Sequence, residues 1–162
     1  MTEKKHVLSI LVDNEPGVLS RIAGLFSGRG YNIESLCVAE TTDPLVSRMT
    51  LVTKADPRVI EQIEKQLNKL VNVIKVHDLT GKEYVEREMA LIKVIAKPEH
   101  RAEILRTVDI FRCKVVDVGR EHYTIEVTGD AGKLTAILSL LQPIGIKEIV
   151  KSGVIALFRE PK

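Results

Sequence analysis

Apolar residues alternate through HVLSILV, His6 to Val12, which is the period of a strand with one buried face. The polar turn Asp13 to Gly17 follows. Val18, Leu19, Ile22, Leu25 and Phe26 then recur at three- and four-residue spacing, predicting a helix with one apolar stripe turned toward a core. Gly28 and Gly30 predict its end, one of them in the left-handed conformation of a C-cap. A second strand is expected over 32–41 and a third over 46–54, joined by a turn containing Asp43-Pro44. Asp56 as N-cap and Pro57 at the first helical position open a second helix, with Ile60, Ile63, Leu67 and Leu70 as its stripe. Residues 72–79 close the unit as a fourth strand, in the order βαββαβ.

The order then repeats. TGKEYVERE (80–88) is polar and charged and reads as a linker. A strand is expected over 89–96, and a helix over 100–111 whose stripe is Ile104, Leu105, Val108 and Phe111. CKVVDVG and YTIEVTG form a hairpin. Asp130 caps a helix carrying Leu134, Ile137, Leu138 and Leu141, and 146–159 supplies closing strand material broken at Ser152-Gly153. Equivalent elements start about 83 residues apart and the offset shrinks, so architecture repeats with little repeated sequence. The fold class is α+β: two ferredoxin-like βαββαβ units, each an antiparallel sheet with helices on one face. The expected organisation is a domain over 1–79, a linker over 80–88 and a second domain over 89–162. Units this small bury limited core, so docking between halves or between chains is expected.

Composition narrows the class. The chain of 162 residues is 44% apolar and 28% charged, as in soluble globular proteins. Its 24 Lys and Arg against 22 Asp and Glu leave a net charge of +2, with the basic residues spread along the chain, which argues against nucleic acid as partner. The N-terminus lacks the apolar run of a signal peptide, and the most apolar later stretch is interrupted by Pro143, short of the ~20 residues that span a bilayer. The expectation is a cytoplasmic protein with no membrane partner. Cys37 and Cys113 lie far apart without C-x-x-C spacing and read as free thiols.

Catalytic signatures fail one by one. GDAGKL (129–134) resembles a P-loop fragment, but Val127 stands where a P-loop needs its first glycine and Leu134 where it needs Ser or Thr. GRGYNI at 28 follows a helix and lacks the third glycine of a dinucleotide fingerprint. His6, His77, His100 and His122 show no metal-ligand spacing, no Ser or Cys stands in a nucleophile elbow, and Glu83, Glu86 and Glu88 read as solvated charges. The central strands offer Val, Leu, Ile and Met where RNA-binding sheets present aromatic rings, so the open sheet face reads as a packing surface. No catalytic residue and no metal ligand is assigned.

The turn NEPG, residues 14–17, carries chemistry instead. A glycine-containing turn at a helix N-terminus presents unbonded N–H groups and the positive end of the helix dipole, which suits a carboxylate. Asn14 adds an amide that can donate to a carboxylate or accept from an ammonium, so an α-amino acid fits. The alternative is that Asn14 only caps the helix and Gly17 only eases the turn; spacing leaves both open. In a split βαβ unit the first two strands run parallel, which puts Asn14 and Asn32 at opposite ends of the sheet, about 26 Å apart. The second strand is expected at the sheet edge. Pairing two such edges antiparallel across a two-fold axis brings one chain's Asn32 toward the other's Asn14, giving a symmetric dimer with two equivalent sites.

NEPGVLSRIAGLFSGRGYNIESL, with SRMTLV, EKQLNKLVNVIKV, VEREMALIKV and IFRCKVVDV, closely resembles the regulatory small-subunit family of acetohydroxyacid synthase, also called acetolactate synthase. The resemblance spans nearly the whole chain, in the same block order. It implies an N-terminal ACT domain that dimerises and binds an amino acid, and a C-terminal ferredoxin-like regulatory domain. It also implies binding to the large catalytic subunit, activation of it, and feedback inhibition by valine or a related branched-chain amino acid. Residues matching Asn14, Gly17 and Asn32 would hold the ligand, with Pro16, Val18, Leu19, Ile33 and Val38 lining it. Thiamine diphosphate, Mg and FAD would belong to the large subunit and none to this chain. The resemblance implies threonine where Cys37 stands, a departure on the edge strand. The competing class is a free-standing ACT-domain sensor that regulates transcription, which should carry a helix-turn-helix or basic ribbon; neither is in the sequence.

Overall fold

The computed structural model describes residues 3–161, which divide into two compact units. One comprises the chain through Val85 together with the stretch from Val154 onward, the other Glu86–Gly153. The first unit runs β1 (Lys4–Asp13), α1 (Val18–Gly28), β2 (Ile33–Glu40), β3 (Val46–Ala55), α2 (Pro57–Asn68) and β4 (Val73–Asp78). Its sheet has the order β2-β3-β1-β4 with every pairing antiparallel. Because β1 and β2 both oppose β3, they run parallel to each other, and β2 is an edge.

Period-2 burial builds one face of this sheet. Leu8, Ile10 and Val12 of β1 and Met49 and Leu51 of β3 form one core with Val18, Ile22 and Phe26 of α1 and Ile60, Ile63 and Leu67 of α2. Helix α2 starts as its sequence dictates: the Asp56 carboxylate accepts from the Arg58 and Val59 N–H groups at 2.8 and 3.1 Å, with Pro57 at the first position. Helix α1 stops after Gly28, and just beyond it Gly30 has a φ of 72°, the left-handed conformation glycine adopts without steric cost.

The second unit contains β5 (Tyr84–Ile95) from Glu86 onward, a 3-10 turn over Pro98–His100, α3 (Arg101–Ile110), β6 (Lys114–Val118), β7 (His122–Gly129), α4 (Ala131–Leu141) and β8 (Ile146–Lys151). The strands are ordered β6-β7-β5-β8. Ala90, Ile92, Val94, Ile125 and Val127 pack against Ile104 and Val108 of α3 and Leu134, Ile137 and Leu141 of α4. Asp130 caps α4 by accepting from the Lys133 N–H at 2.9 Å. The chain thus has two ferredoxin-like βαββαβ units.

Three local expectations change. Leu105, expected in the α3 stripe, is 46% exposed, and Thr107 is buried in that helix. The Thr107 hydroxyl donates to the Glu103 carbonyl one turn back at 3.0 Å, which removes the cost of burying it. The linker expected over 80–88 shortens to a turn after Leu79, with Gly81 at φ 79°, because Tyr84 to Glu88 already belong to β5. The closing strand material divides at Gly153: β8 stays in the second unit, whereas β9 (Ile155–Phe158) pairs with β5 and clusters with the first. There Val154 and Ala156 cover Val7, Val52 and Leu79 on the sheet face away from the helices. The Val154 N–H donates to Ser35 Oγ of β2 at 3.1 Å, and the Arg159 N–H to the Glu83 carbonyl at 3.0 Å. That sheet face is a packing surface, covered in part by the chain's own last strand.

Candidate functional site

The turn between β1 and α1 is built from both sides. The Asn14 backbone N–H donates to the Leu45 carbonyl at 2.8 Å, and its side-chain Nδ2 donates to the Pro44 carbonyl at 2.9 Å, so the β2–β3 hairpin holds it. Asn14 therefore does not cap α1. Gly17 occupies the N-cap position at φ 86°, ψ −10°, and no side chain bonds the first-turn N–H groups. Helices α2 and α4 do have such caps, from Asp56 and Asp130. The first turn of α1 consequently keeps donors and the positive dipole end for an external acceptor. With Nδ2 engaged, the Asn14 side-chain oxygen remains available to accept from an ammonium. Asn14, Glu15, Pro16 and Gly17 are all exposed.

The other expected residues fall into two groups. Leu19 is 43% exposed in the first turn of α1, while the Val18 side chain faces the core at 5%. Asn32 immediately precedes β2, which carries Ile33 and Val38. Asn32 is exposed, with its carbonyl accepting from Thr53 Oγ1 at 2.7 Å. Ile33 packs against the core, and Val38 is 40% exposed along edge strand β2. Asp13 pairs with Val46 and Ile33 with Thr53, so the span of β3 between those partners separates the two ends by about 23 Å. Within one chain Asn14 and Asn32 do not meet.

Further residues serve the turn without any local sequence signal. Asn72, in the loop between α2 and β4, bonds the side chains of Asp13, Glu15 and Arg21. Only the folded sheet brings residue 72 beside residue 13. On α2, away from this turn, Glu64 has its carboxyl pushed above the ordinary carboxylate range, by burial first and then by the Asp78 carboxylate. Asp78 lies 3.0 Å from Nδ1 of the buried His6. Among the described residues no three His, Cys, Asp or Glu side chains converge to hold a metal ion, and no helix is long and apolar enough to cross a membrane.

Residues 8–75 match the family described as the AHAS small subunit-like ACT domain, and residues 87–160 match the small subunit of acetolactate synthase. The acetolactate synthase small subunit of Mycobacterium bovis is 50% identical over the whole chain and 96% of its own length. That of Aquifex aeolicus is 53% identical over 97% of this chain and 82% of its own. The chain belongs to the acetolactate synthase small-subunit family. The crystal structure of the small subunit from Thermotoga maritima superposes with a TM-score of 0.88 at 44% identity, covering 98% of this chain and 99% of that one. The ACT-domain match, residues 8–75, includes the turn at Asn14 and the edge strand β2.

Proposed function

We propose that this chain is the regulatory subunit of acetolactate synthase in branched-chain amino-acid biosynthesis. It activates the large catalytic subunit and imposes feedback inhibition by valine, bound between the ACT domains of two copies. The observation that carries the reading is the first turn of α1, which has no side-chain cap and lies beside Asn14 and the left-handed Gly17. The valine carboxylate sits on those N–H groups and its ammonium on the Asn14 oxygen. In this reading the isopropyl group lies against the exposed Leu19 and Pro16 side chains.

The site is completed by a second copy. Antiparallel pairing of two β2 edges across a two-fold axis carries Asn32, Ile33 and Val38 of the partner subunit toward the Asn14 turn. The chain has no catalytic site of its own and works in the cytoplasm; thiamine diphosphate, Mg and FAD sit in the large subunit. Valine acts by binding one arrangement of the dimer better than another, a coupling of about 1–3 kcal/mol in typical systems. By reciprocity, the activated complex binds valine more weakly than the inhibited one.

Reconstitution tests this directly: acetolactate formation by the purified large subunit is followed with and without the chain across a valine titration. Neither stimulation nor a valine response would sink the reading. Asn14→Ala and Asn32→Ala should each weaken valine binding. Mixed dimers carrying one change per chain should keep one intact site, since the two altered residues then share the other. Two intact sites, or none, contradict the cross-chain arrangement.

A further inference from the structure

The Asn72 side chain joins three charged groups around the turn. Its Oδ1 accepts from Arg21 Nη1 at 2.5 Å, and its Nδ2 donates to Asp13 Oδ2 at 3.3 Å and to Glu15 Oε2 at 3.2 Å. Its backbone carbonyl accepts from the Asp13 N–H at 2.8 Å. Asp13 ends β1, Glu15 lies in the turn, and Arg21 is on α1, with its own N–H donating to the Gly17 carbonyl at 3.0 Å. One amide therefore ties the strand end, the turn and the helix together.

We propose that Asn72 is a positioning residue for the amino-acid site, an inference that rests on the regulatory reading above. It bonds the residues on either side of Asn14 and sets the gap between the end of β1 and the N-terminus of α1, where the ligand carboxylate is held. A carboxamide suits the task because it offers two N–H donors to two carboxylates and one oxygen to a guanidinium. Remove the amide and the carboxylates of Asp13 and Glu15 face each other with no donor between them. Replace it with a carboxylate and the acceptor for Arg21 survives, both donors are lost, and a third negative charge joins the pair.

The test compares the full-length chain with Asn72→Ala and Asn72→Asp. Without any amino acid present, amide hydrogen exchange across Asp13 to Leu19 should quicken about fivefold in Asn72→Ala and more in Asn72→Asp, with exchange in α4 unchanged as a control for global unfolding. Valine binding by calorimetry should weaken about five- to twentyfold, the loss of one or two charge-assisted hydrogen bonds in a partly exposed site, again ranked Asp worse than Ala. That ranking is one a mere defect of the α2–β4 loop would not produce. Exchange at the parent rate in both variants overturns the inference, as does quickened exchange with unchanged valine affinity. If the parent itself binds no valine, the regulatory reading fails, and the exchange comparison still decides whether Asn72 orders the turn.

Discussion

The same substitution, glycine to alanine, should have opposite effects at two positions seven residues apart in and before α1. Gly24 lies inside the helix at an exposed position, and a Cβ built there meets nothing within 4 Å. Ala at that site gains helix propensity, about 0.8–1.0 kcal/mol. Gly17 also has open space around a built Cβ, but its φ is 86°. No clash contributes there, so the cost is the left-handed backbone alone, about 1–2 kcal/mol for an L residue. The two variants should therefore differ by about 2–3 kcal/mol in the unfolding of the first unit. A domain of this size shifts by about 4–8 °C per kcal/mol, which separates them by at least 8 °C. Gly17→Asn should recover part of the loss, because asparagine visits the left-handed region more readily. The assay is thermal and urea unfolding with a probe specific to the first unit, such as exchange of the β1 and β3 amides, since two units need not unfold in one transition. Equal costs for Gly17→Ala and Gly17→Asn, or the same sign for Gly17→Ala and Gly24→Ala, would refute the reasoning. Valine affinity should follow the turn and not the helix: weakened in Gly17→Ala and unchanged in Gly24→Ala.

Asp56→Ala removes the acceptor of two first-turn N–H groups in α2 and should cost about 1 kcal/mol in urea unfolding of the first unit. Ile137→Ala empties a fully buried position in the second unit and should cost about 2–5 kcal/mol there, read from the exchange of β5 and β7 amides. Glu64 has its pKa raised in the folded state, so its contribution is fully present below the ordinary carboxylate value and is lost as pH rises through the folded value. Glu64→Gln should therefore gain stability relative to the parent at pH 7 and none at pH 4, by denaturation at both. Ending the chain at Gly153 uncovers Val7, Val52 and Leu79 and should destabilise the first unit by about 2–4 kcal/mol, measurable as a fall in its urea midpoint.

Local chemistry determined a large part of this protein. The stripe on α2, the Asp56 and Asp130 caps and the stop at Gly30 lie within a turn or two of the residues they act on, so propensity and hydrogen bonding can be read along the chain. Alternation in HVLSILV located β1 within two residues at each end, and the βαββαβ order followed from such elements in sequence. The charged stretch before Met89 misled because a strand with one wet face tolerates Glu and Arg, and charge alone does not separate it from a linker. At Leu105 and Thr107 periodicity ranked side chains by polarity, whereas the hydroxyl could satisfy itself within the helix.

Tertiary structure decided the rest, and the reason is sequence separation. That Asn14 is held by Pro44 and Leu45 instead of capping α1 depends on the register that sets Asp13 opposite Val46. The placement of β9 depends on its pairing with β5 and on which sheet face lacks a helix cover, properties of the assembled sheets and not of IALF. Asn72 acquires its meaning only when β1 pairs beside β4 and brings three charges within reach of one amide. Patterns of short period are written in the chain because backbone geometry repeats every two or 3.6 residues; contacts across 30 to 120 residues have no such period, and only packing selects them.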